Sequence, residues 1–143
     1  MTGIDTTWLV DLEVEESPRH KGARELFEAW RKERNSALCV YHHVFLEFLH
    51  VVTDQARFEE PLSMDTAIER VWFWVDQERI RVLYPGDASL KRCFMWLSAF
   101  QLGRKRLLDT QMAAAYAEEG VSQLWTANPD DFALFGVFDL PVY

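Results

Sequence analysis

Short apolar runs alternate with amphipathic stretches along the whole chain, and this alternation constrains the fold more than any other feature. A run too short for a helix reads as a strand, and apolar residues spaced three and four apart read as one face of a helix. A first strand reaches Asp5, Ala37 to Val40 forms a second, Ile80 to Leu83 a third and Val121 to Thr126 a fourth, with Leu140 to Tyr143 as a short last strand. Between them, Thr6 to Leu12 makes a turn of helix. Ser17-Pro18 starts a longer helix through about Arg34, with Ala23, Leu26, Phe27 and Trp30 on its buried face. Val44 to Thr53 is a strongly apolar helix, and Met64 to Gln77 is another with Ile68, Val71, Trp72 and Val75 inward. Tyr84-Pro85-Gly86 turns the chain, Asp87 caps a helix running to Leu102, and Gly103 stops it. Asp109 opens a small-residue helix that ends near Gly120, and Asn128-Pro129 opens a final helical turn. Strands joined by helices of this length require a largely parallel sheet, so the class is α/β with about four to five strands.

No repeat or low-complexity linker interrupts the pattern, and a single domain over residues 1–143 is expected. The chain is 49% hydrophobic and 14% aromatic, enough to bury a core. No window approaches a membrane span, and the start lacks the basic-then-apolar layout of a signal peptide, so a cytoplasmic location is expected. Cys39 and Cys93 sit in apolar surroundings, far apart in sequence, and read as reduced core thiols. The formal charge of −8 argues against a generic polyanion binder, because affinity for phosphates comes from a positive field. A nucleic-acid role then needs a local basic patch, or acidic residues holding cations that meet the phosphate. Attraction of a basic protein partner is a third use for the excess acid.

In parallel sheets, ligands collect beyond the carboxyl ends of the strands. With 23 Asp and Glu in the chain, scattered carboxylates coincide by chance, so placement has to discriminate. Asp5 directly follows the first strand and precedes the hydroxyls of Thr6 and Thr7; alone it also suits a helix N-cap. Glu47 lies within Val44-Phe45-Leu46-Glu47-Phe48-Leu49, where burial of a lone carboxylate is costly and demands compensation. The plain alternative is a partly exposed helix face shared with His43 and His50. Asp109 precedes the small-residue helix, and Thr126, Asn128 and Asp131 follow the fourth strand, where Asn-Pro-acid is also an ordinary helix opening. Gathered at one edge, Asp5, Glu47 and Asp109 repel, and one stays protonated unless a cation joins them. Mg²⁺ suits such an open, all-oxygen site.

The order Ile4-Asp5-Thr6, Glu47 in an apolar helix, Leu108-Asp109 before an Ala-rich helix, and Leu124-Trp125-Thr126-Ala127-Asn128-Pro129-Asp130-Asp131-Phe132 resembles the PIN-domain family, particularly its VapC-type toxins. The resemblance spans nearly the whole chain. It implies a three-layer α/β/α domain with Mg²⁺- or Mn²⁺-dependent endoribonuclease activity, a homodimer, and an antitoxin partner that occupies the active-site groove. Carried over by position, Asp5, Glu47 and Asp109 are the implied metal ligands. The fourth acidic position maps to Asn128, where many relatives carry Asp, and Asp131 either substitutes for it or acts through water.

Arg104-Lys105-Arg106 precedes Asp109 and suits either phosphate contacts on the rim of the site or a solvated helix end; Thr6 and Thr126 are further candidate RNA contacts. His43, Glu47 and His50 share a helical face but span too far to close around one Zn²⁺. Trp72, Trp74 and Trp96 read as core or dimer-interface anchors. Two rival functions stay open: an RNA-maturation nuclease without an antitoxin, and a catalytically weak PIN-like binding module in which Asn128 replaces a needed acid.

Overall fold

The computed structural model describes residues 1–33 and 35–143. Among them, four strands, β1 (Thr2–Ile4), β2 (Leu38–Tyr41), β3 (Ile80–Leu83) and β4 (Gln123–Trp125), form one all-parallel sheet in the order β3-β2-β1-β4. Seven helices accompany them: α1 (Thr6–Glu13), α2 (His20–Lys32), α3 (His42–Val52), α4 (Met64–Val75), α5 (Asp87–Ala99), α6 (Leu107–Glu118) and α7 (Pro129–Ala133). The connections β1→β2 and β2→β3 step in the same direction, whereas β3→β4 steps back across the sheet. Right-handed crossovers therefore put α1 to α4 on one face and α5 and α6 on the other, giving three layers.

Each layer follows from its side chains. Trp8 of α1 is fully buried, with ring centroids 6.3 Å from Phe27, 6.3 Å from Trp74 and 4.7 Å from Trp125, so one indole ties three helices to β4. A large aromatic packed this way typically carries about 3 to 5 kcal/mol of stability on truncation. On the other face, Met112, Ala113, Ala114, Ala115 and Tyr116 of α6 are all buried. A helix buried on every side needs small residues, because its neighbours approach from all directions. Cys39 and Cys93 are buried free thiols.

Several sequence expectations need correction. The inward face of α4 is Ala67 and Trp74 with Val71 and Val75 at its margin, while Trp72 and Phe73 are 59% and 60% exposed and Ile68 is also exposed. Apolar residues line both sides of this helix, so periodicity did not tell which side the sheet would claim. The N-cap of α5 is Gly86 rather than Asp87: the Ser89 hydroxyl accepts from the Gly86 N–H and donates to its carbonyl. That helix stops at Ala99, before Leu102 and Gly103. Gln101 adopts a left-handed φ of 50°, and the Leu102 N–H closes onto the Leu97 carbonyl at 2.9 Å.

Asp109 does not cap its helix. A 3₁₀ turn (Arg104–Arg106) leads into α6, and Asp109 is the third helical residue. The second helix begins at His20, two residues past Pro18, and the expected end at Arg34 lies outside the described residues. Leu140 to Tyr143 forms no strand. The residue before it, Asp139, makes one bridge to β4, its N–H on the Ser122 carbonyl and the Leu124 N–H on its own carbonyl, and Pro141 has no N–H with which to extend the ladder.

Candidate active site

The parallel sheet delivers the carboxyl ends of β1, β2 and β4 to one edge. Asp5 continues the β1–β4 pairing, its N–H donating to the Trp125 carbonyl at 2.9 Å, and then caps α1. The residue is only 7% exposed. Oδ1 accepts from the Thr6 N–H at 2.7 Å; Oδ2 accepts from the hydroxyls of Thr7 and Thr126, each at 2.7 Å. Those hydroxyls are themselves oriented, since Thr7 accepts from the Ala127 N–H and Thr126 from the Asn128 N–H. Their protons have Asp5 as a destination, so the carboxylate is locked in one pose.

Glu47 sits on α3, which packs against α1. It is exposed rather than buried, as is its neighbour Leu46, while Phe45 and Phe48 carry the apolar side of the helix. The expectation of a carboxylate forced into an apolar interior is therefore corrected: the helix leaves one open stripe, and it faces a cleft. There Glu47 Oε2 accepts from the Thr6 hydroxyl at 2.6 Å. Asp109, half-buried, approaches from α6. A cleft of about 620 Å³ is lined by Asp5, Thr6, Glu47, Asp109, Asn128 and Asp131 together, with Lys105, Arg19 and Arg57 contributing cations to its wall.

Burial raises the Asp5 pKa above the ordinary carboxylate value, with Glu47 adding to the rise and its three hydrogen-bond donors opposing it. Asp109 is pushed up to about 6, first by burial and then by the negative charge of Asp5; Arg106 opposes this, and Asp131 and Glu47 reinforce it. Like charges held together in partial burial are the condition that a cation relieves. The donor set is all oxygen, as hard divalent ions require. Among the described residues, no group of three or more His, Cys, Asp and Glu side chains, Asp5, Glu47 and Asp109 included, is gathered closely enough to hold a metal ion as a ready-made cluster. Mg²⁺ does not need one, because it keeps several waters and commonly takes only one or two protein carboxylates. His43, Glu47 and His50 form no zinc cluster either. Burial pushes the His43 pKa down, and its Nδ1 is buried without a partner among the described residues.

A stability prediction follows from Asp109. Its folded pKa, about 6, exceeds its ordinary 3.8, so folding favours the protonated form. The stability this confers is complete below the unfolded value and is lost as pH rises through 6. Metal-free Asp109→Asn should therefore melt above the wild type at pH 7, and the gap should close on acidification toward pH 4. Melting curves across that range test it; a gap that widens as pH falls would contradict the assignment.

The remaining candidates divide. Thr126 is 2% exposed and Thr6 is also buried, and both hydroxyls are engaged with site carboxylates. Lys105 is exposed and lines the cleft, whereas Arg104 is exposed on the 3₁₀ turn. Arg106 is turned inward and paired: Nη1 donates to Asp131 Oδ1 at 3.1 Å, and Nη2 donates to the Asp131 carbonyl. Asn128 is exposed at the cleft, and its side chain makes no capping bond to α7 among the described residues. Sequence reasoning missed the orienting work of Thr7 and the contributions of Arg19 and Arg57. Only the Thr-Thr pair after Asp5 hinted at the first, and nothing local marks the other two.

Among solved structures, the chain is similar in fold to the VapC20 toxin of Mycobacterium tuberculosis, described as a Sarcin-Ricin loop cleaving toxin. That match has a TM-score of 0.71 and 15% identity, covering 94% of this chain and 95% of that chain. It is also similar to a chain of a toxin–antitoxin complex from Klebsiella pneumoniae (TM-score 0.69, 16% identity, 99% and 97% covered). A third is VapBC-1 from nontypeable Haemophilus influenzae (TM-score 0.66, 17% identity, 98% and 96% covered). No curated protein matches the sequence. The family model of the PIN domain matches residues 4–136, and with the parallel sheet and the acidic edge it brings together, the chain belongs to the PIN domain family.

Proposed function

We propose that this PIN domain is a divalent-metal-dependent endoribonuclease and the toxin half of a type II toxin–antitoxin pair. The observation that carries the reading is Asp5: a nearly buried carboxylate, held by three donors, faces the same cleft as Glu47 and Asp109. A buried carboxylate whose charge meets those of a half-buried and an exposed neighbour is an arrangement that a bound cation would relieve. Asp5, Glu47 and Asp109 are the groups that would hold Mg²⁺ or Mn²⁺. When bound, such an ion supplies Lewis acidity, offsetting charge on a phosphodiester and lowering the pKa of water.

The chain's own residues do the rest. Thr7 and Thr126 are positioning residues, because their oriented hydroxyls keep Asp5 in one rotamer. Thr6 does the same for Glu47. Lys105, Arg19 and Arg57 place cations on the wall of a cleft that also carries Asp11 and Glu16, and they are suited to hold phosphates on either side of the scissile bond. Asn128 offers an amide where a carboxylate would add a further negative charge.

The toxin reading rests on similarity in fold to a VapC toxin and to VapBC complexes. Exposed apolar side chains on α5 (Leu90, Phe94, Met95) and on α4 (Trp72, Phe73) suit a homodimer and an antitoxin. Among the described residues no helix is long and apolar enough to cross a membrane, and the free thiols suit the cytoplasm. The test is cleavage of total cellular RNA by the purified protein with added Mg²⁺ or Mn²⁺. Defined fragments that vanish on chelation support the nuclease, and inertness with either metal favours a binding module.

A further inference from the structure

Arg106 stands within the acidic cluster, not on its rim. Two of its N–H groups go to Asp131, one to the carboxylate at 3.1 Å and one to the backbone carbonyl. Its Nε lies 3.7 Å from Asp109 Oδ2 and is buried with no hydrogen-bond partner among the described residues. That separation is an electrostatic contact, too long for a hydrogen bond. The residue is also fixed from behind, since its carbonyl accepts from the Thr110 hydroxyl at 2.6 Å where the 3₁₀ turn enters α6. A guanidinium does not lose its proton at any physiological pH, so the charge is permanent.

We infer that Arg106 is the internal counter-cation of the metal site: it withholds Asp131 from the ligand set and competes with the divalent ion for Asp109. The inference rests on the proposed reading of the cleft as a divalent-metal site. It gives Arg106 a positioning role in place of the phosphate contact its sequence suggested. It also leaves Asp5, Glu47 and Asp109 as the carboxylates free to bind an ion, because Asn128 is neutral and Asp131 is committed.

Removing the guanidinium charge should tighten Mn²⁺ binding, on the order of tenfold at low ionic strength. Loss of a merely structural residue would not do so. The measurement is Mn²⁺ binding by electron paramagnetic resonance on the wild type, Arg106→Gln, Asp131→Asn and the double variant. Arg106→Gln should bind more tightly. Asp131→Asn releases the guanidinium toward Asp109 and should bind several-fold more weakly than the wild type. The double variant should recover the lost affinity. If Arg106→Gln fails to fold, Arg106→Met, which keeps the alkyl stem and removes the charge, is read in its place: tighter binding supports the role, and unchanged or weaker binding overturns it, whereas weaker binding by Asp131→Asn alone would also follow if Asp131 ligated the ion. A folded Arg106→Gln that binds no more tightly than the wild type likewise overturns it. Absence of saturable Mn²⁺ binding in the wild type is a different result, which defeats the metal-site reading itself and this inference with it.

Discussion

Replacing Asp5 with asparagine is expected to reduce metal-dependent RNA cleavage by on the order of a thousandfold or more, with the fold retained. Asparagine is nearly isosteric with aspartate, and its carbonyl oxygen can still accept from the Thr6 N–H. Its amide, however, has no negative charge to offer a cation. It also sets two donors against the Thr7 and Thr126 hydroxyls, which donate to this position in the wild type and each of which already accepts from one backbone N–H. The loss of three charge-assisted bonds is offset by removal of a carboxylate whose pKa burial has raised, so the melting temperature should move by only a few degrees. The measurements are kcat/KM on a fluorescent RNA, with Mn²⁺ affinity and melting recorded on the same samples. Cleavage within tenfold of the wild type in a folded variant would remove Asp5 from the reaction.

Tyr116→Phe should cost about 2 to 4 kcal/mol, lowering the melting temperature by roughly 5 to 12 °C. The phenol is fully buried; its oxygen accepts from the Tyr41 N–H at 3.0 Å and donates to the Ile4 carbonyl at 2.6 Å. Those two groups lie at the carboxyl ends of β2 and β1, where the strands part into α3 and α1 and the ladder cannot continue. Burial pushes the phenol pKa far above its ordinary value, so it stays a neutral donor. Without the hydroxyl, a buried N–H and a buried carbonyl lose their partner, which costs more than the bond itself contributed. Gly3 shows how closely the ring is seated, since a Cβ there would lie 2.8 Å from it. The same staple sets the spacing between the residues that follow each strand, Asp5 and the helix bearing Glu47, so activity should fall with stability. Thermal melting and the RNA assay together check this; a change below about 2 °C would show that water satisfies the two groups instead.

What was legible in the sequence was local. The alternation of apolar runs with helical stretches determined an α/β chain with parallel strands, and Ile80 to Leu83 is a strand at the bounds read from the residues. Asp5, Asp109 and Asn128 stood out as candidates because a carboxylate or amide just past a strand, or near a helix start, is marked by its immediate neighbours. Where neighbours did not decide, the reading failed. α4 is apolar on more than one side, Pro141 ended a strand that hydropathy favoured, and a left-handed Gln101 did the work expected of Gly103.

Tertiary structure decided everything that depends on which groups meet. Glu47 looked costly because its sequence neighbours are apolar, yet a helix turns successive side chains through about 100°, and the fold left that stripe open to the cleft. The Thr126 hydroxyl reaches Asp5 across 121 residues of chain, and Arg106 found Asp131 across 25. Hydropathy and propensity act over a few residues and so were written in the sequence. Orientation of a carboxylate, sharing of its charge and a raised pKa come from distant groups held at 3 to 4 Å, and only the packed sheet and its helices bring those groups to that distance.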